Sequence, residues 1–231
     1  NQALLDAIQR GVDQAVFSLH LHGMEHYWPD ALMSARTLRD DVATWFTTDQ
    51  PRTEGLPSEL QSRWTNAAEL PSTKINGTRV KQAVADEVGY FRELFGIPAK
   101  VVVPPTFVWN QTVEDSWKEA GVEVVITPGA RYSSREQGGL LADKMDIRTG
   151  QQGANGIAYM VRDAYFEPSW GHSAEKGLAD LEQRTELRRA ALFETHRFNF
   201  LDDLTGSVSK LEQLFASALI RYPDLMFIST L

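Results

Sequence analysis

Cysteine is absent from the 231 residues. That removes disulfides, thiolate metal sites and cysteine nucleophiles together. Positive charge is scarce: 23 Lys and Arg against 31 Asp and Glu leave a net charge of −8. Electrostatics therefore give no support to binding of nucleic acid or an anionic membrane. No apolar run approaches the ~20 residues that a membrane-spanning helix needs. No short-period repeat, low-complexity segment or signal peptide is visible. The lack of cysteine suits an extracytoplasmic life without requiring one. What remains, 42% hydrophobic and 23% charged residues, is ordinary for a globular chain, and the length allows one large domain, 1–231, with a sizeable core.

Periodicity predicts an alternation of helices and strands. Apolar positions at helical spacing place helices over 2–9, 30–46, 80–95, 112–120, 173–186 and 207–221, with Gly96 and Gly121 as stops. Short apolar runs place six strands at 15–21, 100–103, 122–127, 157–162, 190–194 and 225–229. Such alternation argues for a parallel α/β architecture, barrel or open sheet. Two long loops, 47–78 and 129–156, are rich in Gly, Pro and Gln and are expected over the strand C-terminal face, where α/β folds place their sites.

The chemistry concentrates in one stretch. Three of the five histidines, His20, His22 and His26, lie within seven residues at the end of an apolar run. In a strand His20 and His22 share a side. Gly23 then lets the chain turn, so that His22 and His26 can converge on one ion. Neutral imidazoles suit zinc and its neighbours, but a pair needs a third ligand. The bland alternative is a set of satisfied polar residues at a strand end. His22-Gly23-Met24-Glu25-His26 also fits the inverted zinc-peptidase signature H-x-x-E-H. That signature needs a helix, and the strand-like lead, the internal Gly23 and Pro29 speak against one.

Downstream, Trp109 and Asn110 follow the strand that leaves through Pro104-Pro105, and an indole face there suits a sugar ring. Asp163, Tyr165 and Glu167 follow the strand at 157–162. Two such carboxylates can serve as acid and base, or one can orient a histidine. Glu194, His196 and Arg197 end the strand at 190–194. His196 is placed to protonate a leaving group, and Arg197 to steady an anion or a carboxylate.

Laid in order, these segments resemble the polysaccharide deacetylase (carbohydrate esterase) family of the glycoside hydrolase/deacetylase superfamily. His22-Gly23-Met24-Glu25-His26 is similar to its metal motif, Val103-Pro104-Pro105-Thr106-Phe107 to its groove motif, and Glu194-Thr195-His196-Arg197 to its late catalytic motif. The resemblance implies a β/α barrel lacking its first β-α-β stretch in this chain, because the family's early aspartate pair has no counterpart at a strand end. It implies a divalent metal, zinc by preference, held by His22 and His26 with His20 nearby. His196 would be the catalytic acid, with Asp163 tuning it and Glu167, Glu194 and Arg197 around it. Trp109, Asn110, Glu25 and Tyr165 would line the site of a carbohydrate partner that loses its acetyl groups. Two alternatives stay open: a glycosidase of the same superfamily drawing a carboxylate pair from Asp163, Glu167, Glu194 and Glu25, and a carbohydrate-binding protein without activity.

Overall fold

The computed structural model describes residues 2–49 and 51–230. Asn1, Gln50 and Leu231, which the expected domain and the 47–78 loop include, lie outside them. The chain divides into two compact units, one running to Met160 and the other Val161–Thr230.

In the first unit the helices are α1 (Gln2–Asp13), α2 (Pro29–Leu38), α3 (Asp40–Thr47), α4 (Gly77–Phe95) and α5 (Gln111–Glu119). Asn76 and Asn110 cap α4 and α5, their side-chain oxygens accepting from the N–H groups of Thr78 and Val113. Gly96 closes α4 in the left-handed conformation. The predicted helix over 30–46 is two helices, because Arg39 is extended. Its start is fixed by Pro29 in the first turn, with Trp28 in the cap position.

Strands β1 (Val101–Val102), β2 (Val124–Thr127) and β7 (Ala158–Val161) form a three-stranded sheet with β2 in the middle. Leu21 joins β1 by a single parallel bridge, its N–H donating to Val101 and its carbonyl accepting from Val103. Two antiparallel ladders occupy the 129–156 loop: β3 (Ala130–Arg131) with β6 (Met145–Asp146), and β4 (Ser134–Arg135) with β5 (Leu141–Ala142). The 47–78 segment packs down, as Leu56 and Leu60 join Leu32, Ala35 and Val42 in one apolar cluster. Trp64, Trp109 and Trp117 are fully buried, with Trp117 in ring contact with both of the others.

The second unit pairs β8 (Ala164–Tyr165) with β9 (Phe193–Glu194) in parallel. Against them lie α6 (Ala174–Glu186) and α7 (Leu204–Arg221), around Phe166, Ala174 and Leu214. Gly177 lets the two helices meet closely, since a Cβ there would lie 2.8 Å from Leu214.

Among the described residues the sheets hold three, two, two and two strands, and none closes. This overturns the expected β/α barrel of the glycoside hydrolase/deacetylase type, and with it the resemblance to polysaccharide deacetylases that implied the barrel. Two of the six predicted strands do not form. In 15–21, Val16 is 70% exposed, Ala15 has positive φ, and only Leu21 finds a partner. In 225–229, Met226, Phe227 and Ile228 are all exposed and extend no sheet. An apolar β-branched run supplies side chains for a buried face, but a strand also needs a neighbour to bond its backbone. No described helix is long and apolar enough to cross a membrane.

Candidate functional site

Leu21 and β1 bring the histidine segment beside Val103, and His22 bonds there: its Nδ1–H donates to the Val103 carbonyl over 2.7 Å. A carbonyl only accepts, so the proton is on Nδ1 and the lone pair of the neutral ring is on Nε2. That Nε2 lies 3.1 Å from Nε2 of His26, the rings nearly perpendicular at 83°. Gly23 makes this turn with φ 95, and a Cβ there would also sit 3.1 Å from Pro105. The structure thus places His22 and His26 together, the Nε2–H of His26 donating to the lone pair on His22 Nε2.

His20 is not gathered with them. Its Nε2 lies 3.5 Å from the Ser18 hydroxyl. Among the described residues no group of three or more His, Asp or Glu is arranged to hold an ion, so the pair offers two ligands. Glu25, between the histidines, is ion-paired with Arg63 at 3.2 Å.

Burial, with the neighbouring His22 and against Glu54, holds His26 below the ordinary imidazole range. Burial does the same for His20. Both rings therefore favour the neutral, lone-pair-bearing form. The sign of the linkage follows. The unfolded chain takes protons on these rings near pH 6.5, where the folded chain still resists them. The stability they add is complete above that pH and is lost as pH falls through the depressed values. Metal-free protein is expected to lose melting temperature between pH 7.5 and pH 5, and His26→Ala to lose less over the same window. Equal losses in the two proteins would refute this assignment.

The second unit holds a different cluster. The parallel register pairs Tyr165 with Glu194, which brings Glu167 alongside His196. His196 donates its Nδ1–H to Glu167 over 2.6 Å, and its Nε2 lies 3.1 Å from Glu194. Glu167 is fully buried and also accepts from the Asn199 amide and from the His196 backbone N–H. Burial pushes its carboxyl upward, but those bonds from Asn199 and His196 outweigh burial and leave it below the ordinary range. Glu194 is gripped by Arg162 at 2.7 Å and accepts from the Tyr165 hydroxyl, which burial and then the Glu194 charge push upward. One face of His196 stacks on Phe198 at 13° and 5.5 Å. Phe198 in turn meets Trp170, which is 69% exposed.

The remaining candidates lie elsewhere. Asp163 pairs with Arg184 at 2.9 Å, so Glu167 rather than Asp163 holds the histidine. Arg197 is exposed, and Arg162 is the arginine on the carboxylate. Trp109 is fully buried and donates its indole N–H to Glu114, leaving no face for a sugar. Asn110 is spent on the α5 cap. Reasoning from sequence missed Arg162, Asn199, Trp170, Arg63 and Glu114. Only Arg162 and Trp170 carried a signal, each lying within a few residues of a carboxylate that had been singled out.

No protein-family model, no curated protein and no solved structure matches this chain.

Proposed function

We propose that the protein is a metal-dependent hydrolase that removes acetyl groups from a carbohydrate. The observation that carries the reading is the His22–His26 pair. Zinc–imidazole bonds of about 2.0–2.1 Å at tetrahedral angles set two nitrogens on one ion roughly 3.3–3.4 Å apart, and the two Nε2 atoms here, 3.1 Å apart, need separate only by a few tenths of an ångström. The bond from His22 Nδ1–H to a carbonyl is the outer bond that orients a metal-ligating imidazole. A zinc ion held there would supply Lewis acidity toward an acetyl carbonyl.

The chain's own residues supply the rest of the reading. His22 and His26 would supply two of the ion's ligands, and the low basicity of His26 keeps its ring neutral at neutral pH. In the second unit the exposed indole of Trp170 is a surface that favours a pyranose ring.

The test is calorimetric titration with zinc, followed by acetate release from acetylated xylo- and chito-oligosaccharides with the metal loaded or stripped. One zinc per chain and acetate release that disappears with chelator are expected. Absence of zinc binding, or acetate release indifferent to chelator, would sink the reading.

A further inference from the structure

Two of the three residues between the histidines, Met24 and Glu25, are held by one buried ion pair. Arg63 is 5% exposed and Glu87 is 2% exposed. They meet at 2.7 Å, with a second bond from Arg63 Nε at 2.8 Å. Arg63 also reaches Glu25 at 3.2 Å. Glu87 accepts the backbone N–H of Met24. The guanidinium lies 5.4 Å from the Trp28 ring and 5.0 Å from the Trp64 ring, which limits how it can shift. Burial pushes the Glu87 carboxyl up while Arg63 and the Met24 N–H pull it down.

A buried ion pair is a poor means of stabilising a fold. Apolar residues of similar volume often do as well or better, because desolvating two charges is costly. Its advantage is direction, since a planar fork and a carboxylate accept partners only at set positions. Here those partners are the side chain of Glu25 and the backbone of Met24, the two links that set how far His26 lies from His22 after the turn at Gly23.

We infer that Arg63 and Glu87 form a clamp that positions His22 and His26 for a shared divalent cation. The inference rests on the metal reading of that pair. Arg63 and Glu87 are positioning residues: they fix the turn, and the imidazoles take the ion.

The experiment compares zinc titrations of the unaltered protein, Glu87→Gln and the double variant Arg63→Met/Glu87→Met, with cobalt(II) absorption as a second readout. The double variant replaces the pair by apolar volume, a change that is often neutral for folding. It is expected to bind zinc about 10–100-fold more weakly at an unchanged melting temperature, with an altered cobalt spectrum. Glu87→Gln keeps an oxygen for the Met24 N–H and is expected to lose less. It also serves as the test if the double variant does not fold. Zinc affinity and cobalt spectra equal to those of the unaltered protein in both variants would overturn the clamp while leaving the metal reading intact. Failure of the unaltered protein itself to bind zinc would overturn the metal reading, and with it the purpose assigned to the clamp.

Discussion

Replacing His22 by alanine is expected to cut zinc affinity by at least about 100-fold, roughly 2.7 kcal/mol, while His20→Ala changes it by less than about threefold, under ~0.7 kcal/mol. The asymmetry comes from the geometry. His22 is the anchored ring: Val103 fixes its tautomer and its plane through Nδ1. Its loss removes one of two gathered donors and leaves His26 Nε2 facing nothing across the 3.1 Å gap. His20, two residues earlier, is turned toward Ser18 and is not part of the pair. Calorimetry on the three proteins at one pH checks the ranking. A His20→Ala loss as large as that of His22→Ala would mean that all three histidines serve one ion, contrary to the arrangement described.

The pair could be read from sequence because everything it needs is local. Four residues, an internal glycine and a proline at Pro29 determine how far two side chains can diverge. Helices were legible for the same reason. Spacing at three and four residues and a capping Asn or Asp are properties of neighbours in the chain, so α4, α5, α6 and α7 fall close to their expected places.

Strands were less legible. The run at 15–21 has the composition of a buried strand, yet its pairing depends on segments some 80 residues away, and only Leu21 is taken up. Without that partner, Val16 and Phe17 stay exposed. Closure of a barrel is a still more distant property, requiring every strand to have two neighbours, and no composition encodes it.

The second cluster shows how register decides chemistry. Sequence offered both Asp163 and Glu167 for His196. Pairing of Ala164 with Phe193 and Tyr165 with Glu194 continues outward to set Glu167 beside His196, whereas Asp163 falls four residues behind. Register therefore chose between the two carboxylates. Asn199, which completes the shell around Glu167, follows from the turn after His196.

The largest stability effect is expected at a residue that no motif marked. Glu114 is completely buried, and one of its oxygens, Oε2, accepts three bonds. They come from the Trp109 indole at 3.1 Å, the Tyr159 hydroxyl at 2.7 Å and Arg131 at 3.0 Å. Burial and then the bond to Glu114 push the Tyr159 hydroxyl upward in pKa, so it remains a donor at any pH the fold survives. Glu114→Ala leaves three donors without their acceptor, one of them a largely buried guanidinium. Breaking such a pair from one side costs about 3–5 kcal/mol, a large share of a typical domain's stability. Glu114→Gln keeps an acceptor but replaces the charge opposite Arg131, and about 1–3 kcal/mol is expected there. The surroundings leave little room to relax. Oε1 has no hydrogen-bond partner, and a Cβ added at Gly153 would lie 2.3 Å from it. Urea unfolding followed by tryptophan fluorescence measures both variants, because Trp109 and Trp117 report on this core. A loss below about 1 kcal/mol for Glu114→Ala would show that the three donors find other acceptors, and that the carboxylate is not what holds β7, α5 and Arg131 together.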